Sequence, residues 1–160
     1  MKSSSPETRT AAARKAPLRG KDPRRQGREA ALQILYAMEL NGETAEQAAA
    51  WYWPLHGAIG PDGQRLAQRL LSQTEELSAD IARTAAILCP QYPLERMAPI
   101  DRALLRLSLA EMLGQPHTPG PVIIQEAIRM SDHYARPEMK KLLNAVLDAA
   151  YRERKKKARE

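Results

Sequence analysis

Apolar residues recur at intervals of three and four along most of the chain, and this spacing constrains the fold more than any other feature. The clearest case begins at Ile100, which Leu104, Leu107 and Met112 follow at helical spacing, while Leu105, Leu109 and Leu113 widen the apolar stripe. No segment alternates apolar and polar residues for long enough to predict a strand. The only β-branched run, at 121–124, leads directly into a helical pattern and is interpreted as the entry to a buried helix. The sequence therefore predicts an all-α protein, a compact bundle of about seven helices.

Capping residues and prolines place the boundaries of these helices. Asp22 is suited to cap the first helix and Pro23 to occupy its first position. Thr44 with Gln47 forms the pattern of a capping box for the second helix, which we expect Pro54 to end.

The later helices are delimited in the same way, with Ser78 expected to cap the fourth and the loop 114–120 to separate the fifth from the sixth. The single cysteine, Cys89, closes an apolar helical run and is expected to be a small buried residue. The predicted helices span about 23–40, 44–53, 62–77, 78–88, 99–113, 121–135 and 137–156.

Basic residues are concentrated at the two ends of the chain. Residues 1–28 contain nine Lys or Arg against two acidic residues, and residues 152–160 contain six against two, whereas residues 29–151 carry a net charge of −5. This distribution is typical of a fold with arms directed at nucleic acid. Because residues 1–21 are rich in Ser, Ala, Pro, Arg and Lys and lack apolar periodicity, we expect them to form a disordered basic arm, and 153–160 to form a basic tail.

Three arginines occupy the first turns of the first helix. Arg24 and Arg28 are four residues apart, and Arg25 and Arg28 are three apart, so the three side chains share one side of the helix. Like charges so close together cost free energy, and cations at a helix N-terminus oppose the helix dipole. The cluster therefore indicates an anion-binding surface, and a polyanion such as RNA is the natural ligand.

The polar residues do not converge on a catalytic or metal-binding pattern. No glycine-rich phosphate loop is present, and the three histidines fall in three separate elements. Asp101 lies in the first turn of a helix, where an acidic residue favours the dipole. We therefore expect a binding protein without enzymatic activity, cofactor or metal. The chain has no apolar run of the roughly 20 residues that span a membrane, no secretory signal and one cysteine, which predicts a cytoplasmic protein.

Four segments resemble, in the same order, the signatures of the NusB family of transcription antitermination factors: residues 24–36, 100–112, 121–128 and 142–148. The resemblance implies an all-helical RNA-binding domain over 22–152, built from two small helical subdomains. It implies binding of boxA-type single-stranded RNA together with the ribosomal protein NusE, within the antitermination complex of RNA polymerase on ribosomal RNA operons.

Further site residues come from this resemblance and from charge. Lys140, Lys141 and Asn144 are expected to join the arginines in binding RNA. Leu142 and Ala145 stand where the family often has Phe and Gly, so a possible base-stacking ring is missing. The resemblance places the NusE-like partner against the polar faces of the third and fifth helices, which carry Arg65, Gln68, Arg69, Ser72, Arg102, Arg106 and Glu111.

Two other functions are compatible with the sequence. One is the helical RNA-binding domain of a ribosomal RNA cytosine methyltransferase, which resembles the same family and requires a catalytic domain in addition. The other is a small helical DNA-binding protein, which requires a recognition helix after a short turn. Preferential binding of single-stranded RNA over duplex DNA would distinguish the antitermination factor from the DNA-binding protein.

Overall fold

The computed structural model describes residue 20 and residues 22–160, which form helices joined by short turns. Within these residues no strand is present, and the predicted all-α class is confirmed. The predicted disordered arm at 1–21 lies outside the described residues apart from residue 20. The elements in chain order are α1 (Pro23–Asn41), α2 (Ala45–His56), α3 (Pro61–Glu76), α4 (Ser78–Leu88), a 3₁₀ turn (Leu94–Arg96), α5 (Pro99–Gly114), α6 (Gly120–Tyr134) and α7 (Pro137–Arg159).

The chain divides into two compact units, with the boundary between Leu71 and Ser72 inside α3. The first unit contains α1, α2 and most of α3. The second contains the end of α3 and α4 to α7. Helix α7 continues to Arg159, so nearly all of the expected basic tail at 153–160 is helical. The predicted bounds of the RNA-binding domain, 22–152, stay a prediction.

In the first unit, α1 is the buried element, because every residue from 27 to 35 is buried. The side chain of Asp22 accepts a hydrogen bond from the backbone N–H of Arg24 at 2.9 Å, which confirms the predicted cap. Gly42 ends the helix with a φ of 66°, a conformation that favours glycine.

Helix α2 packs on α1 through Tyr52, which is fully buried and donates its hydroxyl to the Gln33 carboxamide. The capping box of Thr44 and Gln47 is confirmed. The prediction that Pro54 ends this helix is wrong, because the helix continues to His56. A proline so near the C-terminus forfeits one backbone hydrogen bond, while the N–H of Gly57 still reaches the Trp53 carbonyl at 2.8 Å.

In the second unit, α5 lies at the centre and packs against α4, α6 and α7. The apolar stripe predicted on α5 accounts for only part of its buried surface, because polar residues of this helix, Asp101, Ser108 and Glu111, are buried as well. The prediction that Ser78 caps α4 is wrong. Only Leu77 separates α3 from α4. Its backbone N–H donates to the Gln73 carbonyl, and its own carbonyl accepts from the Ile81 N–H, so Ser78 is already the first residue of α4.

No helix in the described part of the chain is long and apolar enough to cross a membrane.

Candidate nucleic-acid interface

The N-terminal turn of α1 presents two arginines to solvent. Arg24 and Arg25 are both exposed, directly after the Asp22 cap and Pro23. The cap and the proline fix the start of the helix, because proline has a helical φ and lacks the N–H that a first helical position leaves unpaired. The two guanidinium groups are therefore carried by an ordered helical turn, and each can donate bidentate hydrogen bonds to a phosphate or a base edge.

The third arginine of the predicted cluster, Arg28, is buried and only 3% exposed. The expectation that all three arginines form one exposed face is therefore wrong for Arg28. It lies three, four and seven residues before Ala31, Leu32 and Leu35, and all three of these residues are buried. Arg28 thus belongs to the side of α1 that faces the core of the unit, and its predicted role in binding RNA stays a prediction.

The predicted residues on α7, Lys140, Lys141 and Asn144, are all exposed near the start of this helix. Lys140 lies 3.5 Å from the Asp132 carboxylate, and both side chains are more than half exposed. Exposed ion pairs contribute little to stability, so this lysine remains available to a phosphate. The structure thus keeps these three residues on one exposed stretch of α7.

A groove in the second unit lies between the turn that follows α4 and the first turns of α7. Its volume is about 800 Å³, and its lining is mostly apolar. Tyr92 and Met97 line it from the turn, and Leu142 and Ala145 line it from α7, with Lys141 at its edge. Tyr92 is 61% exposed, although it is a large aromatic residue. An exposed aromatic beside an apolar groove is typical of a protein-binding surface.

A buried carboxylate adjoins this groove. Asp101 is 5% exposed, and its Oδ2 accepts a hydrogen bond from Nε of Arg136 at 3.3 Å. Its Oδ1 is buried and has no hydrogen-bond partner among the residues described. Such a group is costly to leave unsatisfied, so an incoming donor would bind favourably there. Arg96 and Arg136, both exposed, line the same groove and give it a mixed charge.

The residues expected to bind the protein partner fall into two groups. Those on α3, namely Arg65, Gln68, Arg69 and Ser72, are exposed. Those on α5 are more enclosed: Glu111 is 3% exposed and Arg106 is half-buried. The guanidinium of Arg102 donates to the carbonyls of Leu94 and Met97, at 3.2 Å each, and so holds the 3₁₀ turn against α5. The expectation of a polar face on α5 is wrong at Glu111, because nearly all sides of this helix are buried.

The sequence pattern did not predict this groove. Tyr92 and Met97 lie in a connector without helical periodicity, so the pattern gave no indication of which way they point. One signal was present: an aromatic residue between two prolines, Pro90 and Pro93, in a connector that is otherwise short. Asp101 was correctly interpreted as belonging to the first turn of α5, but its burial beside a groove required the packing of α7.

Cys89 is 2% exposed, as expected. Burial raises the pKa of its thiol above the usual value of 9.0, although a hydrogen bond to the Tyr92 carbonyl acts in the opposite direction. In the described ranges, no three His, Cys, Asp or Glu side chains form a group that could hold a metal ion. The chemistry available to these groups is recognition: exposed cations on α1 in the first unit and, in the second unit, exposed cations on α7 with an apolar groove beside them.

Comparison with known proteins gives consistent matches over most of the chain. The sequence model of the NusB family matches residues 25–152. The transcription antitermination protein NusB of Koribacter versatilis is 33% identical over 139 residues, 84% of this chain and 95% of that protein. The solved structure of T. maritima NusB has a TM-score of 0.74 at 27% identity, covering 84% of this chain and 94% of that chain. A structure of the antitermination factors NusB and NusE in complex with double-stranded RNA shares the fold, with a TM-score of 0.72 at 21% identity over 82% and 97% of the two chains.

Proposed function

Because the chain belongs to the NusB family, we propose that it is a transcription antitermination factor that binds boxA-type single-stranded RNA together with the ribosomal protein NusE. In this role the pair acts within the antitermination complex of RNA polymerase on ribosomal RNA operons. The NusB proteins that this chain is similar to are named transcription antitermination proteins, which favours this function over the methyltransferase domain and the DNA-binding protein. A solved relative of the same fold contains NusB, NusE and RNA together, which supports the same combination of ligands.

The observation that carries the RNA proposal is the exposed arginine pair on the first turn of α1. Arg24 and Arg25 are both exposed on the first turn of α1, where the positive end of the helix dipole and two neighbouring cations together attract an anion such as a phosphate. Lys140, Lys141 and Asn144 are proposed to supply further contacts, the lysines as point charges and the asparagine as a group that can read a base edge. Arg28, which is buried, is proposed to act by supporting the N-terminal turn.

Filter binding of boxA-like RNA, a scrambled RNA and duplex DNA at about 0.15 M salt tests this proposal. We expect the order boxA-like RNA, scrambled RNA, duplex DNA, from tight to weak. The double variant Arg24→Gln/Arg25→Gln should reduce the slope of log affinity against log salt by about 1.4, since each phosphate contact of a single strand contributes about 0.7. The matched control Arg65→Gln/Arg69→Gln also removes two exposed arginines from the first unit and should leave the slope unchanged. An equal loss of slope in both variants would contradict a specific role of α1.

Two surfaces are candidates for the NusE-like partner. The first is the predicted set on α3 and α5, from which the exposed residues Arg65, Gln68, Arg69 and Ser72 remain suitable. The second is the groove beside Tyr92, which offers apolar area, an unsatisfied Asp101 oxygen and exposed arginines. We propose the groove as the principal contact, because an apolar patch bordered by charges contributes more affinity than an exposed polar helix face.

A sizing column with the cognate ribosomal protein distinguishes these two surfaces. Tyr92→Ala removes an exposed ring without disturbing a buried side chain, and it should weaken the complex by at least tenfold, as expected of an aromatic anchor. The Arg65→Gln/Arg69→Gln variant should bind within about twofold of the unmodified chain, as expected of exposed charges. The reverse result would assign the partner to α3.

We propose further that the protein has no catalytic activity and works in the cytoplasm. Its proposed task is to hold RNA and a protein in one complex, and this task requires binding alone. Incubating boxA-like RNA with the protein and then analysing the RNA by mass spectrometry tests the first point. The RNA should be recovered with unchanged mass both with and without S-adenosylmethionine, whereas a gain of one methyl group would support the methyltransferase alternative.

A further inference from the structure

The exposed side of α7 carries a line of basic residues that extends past the part of the chain matched by the NusB family, residues 25–152. At about 100° per residue, positions three, four and seven apart fall on one side of a helix. Lys141, Arg152, Lys155 and Arg159 lie within about 60° of one another on this basis, and one acidic residue, Asp148, lies on the same side. All four are exposed, and Asn144 lies on the same side. We call Lys141, Asn144, Arg152, Lys155 and Arg159 the α7 stripe; it is about 27 Å long at 1.5 Å per residue.

The opposite side of the same turns is fixed to the second unit. The guanidinium of Arg154 donates to the carbonyls of Gln115 and Thr118, at 3.2 and 2.9 Å, in the loop between α5 and α6. The ring of Tyr151 packs so closely on Gly120 that a Cβ at this glycine would lie 2.1 Å from the ring. The C-terminal turns of α7 are therefore held in a defined orientation, and the basic residues do not have to be ordered when a ligand binds.

The charges of the stripe are largely free to meet a ligand. In the described part of the chain, Lys141 and Arg159 form no ion pair, and Lys155 lies over the Tyr151 ring, 4.5 Å from its centroid. Arg152 pairs with Asp148, but both side chains are substantially exposed and such a pair can be exchanged for a phosphate at little cost.

From these observations we infer that the α7 stripe is a second track for the RNA backbone, which binds nucleotides adjoining the boxA element rather than the element itself. This inference rests on the proposed function. Its first residues, Lys141 and Asn144, belong to the proposed boxA contacts, and Arg152, Lys155 and Arg159 extend the same surface to a total of about five turns. A row of cations without an exposed aromatic side chain suits phosphates and carries little sequence preference, so the adjoining nucleotides are bound through their charge.

The test compares two RNAs with one chain and two variants. The short RNA contains only the boxA-like element, and the long RNA extends it by about 8 nucleotides on each side, within the ~4–16 nucleotides that single-strand-binding folds cover. The stripe variant is Lys155→Gln, and the matched control is Lys157→Gln, which removes one exposed charge from the same turn but on the opposite side of the helix, about 160° from Lys155. Comparing the thermal unfolding of the two variants shows whether the last turns of α7 are folded to the same extent in both.

We expect the unmodified chain and the control to bind the long RNA with a salt slope larger than that for the short RNA. In the stripe variant the slope for the long RNA should be lower by about 0.7, while affinity for the short RNA stays unchanged. Equal slopes for the two RNAs in the unmodified chain, or equal losses in the stripe variant and the control, would overturn the inference. Because the short RNA reports the boxA site alone, failure to bind it would instead overturn the proposed function.

A membrane surface is the alternative polyanion, and it is tested in parallel with vesicles containing about 30% phosphatidylserine at about 0.15 M salt, where the surface potential attracts basic segments. We expect no co-sedimentation of the unmodified chain. Co-sedimentation that is lost in the stripe variant but kept in the control would assign the stripe to anionic lipid and overturn its role in binding RNA.

Discussion

At the scale of single residues, the three arginines of α1 show what sequence spacing can and cannot reveal. Their spacing predicts that they share one side of the helix, yet the structure exposes Arg24 and Arg25 and buries Arg28. The same spacing rule links Arg28 to Ala31, Leu32 and Leu35, but a charged side chain is not usually counted with an apolar stripe. Its burial depends on neighbouring elements that enclose this part of α1, which helical periodicity alone does not describe.

This difference predicts different consequences of substitution. Arg28→Ala should lower the free energy of unfolding by about 1–3 kcal/mol, because it removes a long side chain that is buried and takes part in at least one further interaction. Arg24→Ala and Arg25→Ala should change this free energy by less than about 0.5 kcal/mol, as expected of exposed positions. Urea denaturation followed by circular dichroism measures all three. If Arg28→Ala unfolds at the same urea concentration as the other two, the buried position of its side chain is wrong.

Cys89 provides a prediction about pH. Burial raises the pKa of its thiol above 9.0, so the folded chain keeps this proton at pH values where the unfolded chain has released it. The unfolded state then binds fewer protons, and the free energy of unfolding should fall as the pH rises through 9.0. In Cys89→Ala this part of the pH dependence should be absent.

Burial of Cys89 also predicts slow alkylation. Reaction with iodoacetamide at pH 7.5 should be on the order of tenfold slower or more in the folded than in the urea-unfolded chain, because the reaction requires both the thiolate form and access to it. Equal rates would show that the thiol is accessible.

At the scale of elements, helix positions were predictable to within a few residues, because caps, prolines and glycines act locally. Asp22 and Thr44 cap the helices that their sequence context predicts. The two wrong predictions have a common origin. Pro54 and Ser78 each favour a helix boundary locally, but backbone hydrogen bonds of neighbouring residues continue α2 past Pro54 and place Ser78 inside α4. The packing of elements was less predictable. Nothing in the periodicity of α5 distinguished a helix with one apolar stripe from a helix buried on nearly all sides.

At Gly27, helix α1 lies so close to the start of α3 that a side chain at this position would not fit. A Cβ at Gly27 would lie 2.6 Å from the Gly63 carbonyl oxygen, so α1 and the start of α3 are in backbone contact within the first unit. Gly27→Ala should therefore lower the free energy of unfolding by about 1–3 kcal/mol through overpacking, which exceeds the ~0.5–1 kcal/mol gained in helix propensity. Gly60→Ala is the matched control, since nothing lies within 4 Å of a Cβ there. A Gly27→Ala variant as stable as the control would exclude the close approach.

At the scale of the whole molecule, the charge distribution was accessible from sequence, whereas the groove was not. Basic ends flank residues 29–151, whose net charge is −5, and this alone predicted a polyanionic ligand. The groove forms where the connector after α4 meets the first turns of α7, two segments that are about 45 residues apart in the chain. Their meeting depends on the packing of α4 and α7 against α5. Binding surfaces composed of distant segments therefore require the fold.

The two proposed ligands adjoin each other on α7, and this arrangement predicts cooperative binding. Lys141 lines the groove proposed for the NusE-like partner and belongs to the residues proposed to bind RNA, and Asn144 is next to the groove residue Ala145. A partner seated there could add its own contacts to the same RNA, so we expect boxA-like RNA to bind the pair of proteins about 5–150-fold more tightly than this chain alone. Titrating labelled RNA with and without a saturating concentration of the ribosomal protein measures the factor. By linkage, RNA must strengthen the protein complex by the same factor, which the reverse titration checks. Tyr92→Ala should keep the affinity of the chain alone for RNA and lose the enhancement at partner concentrations that saturate the unmodified chain. Equal dissociation constants with and without a partner that demonstrably binds would show that the two ligands act independently.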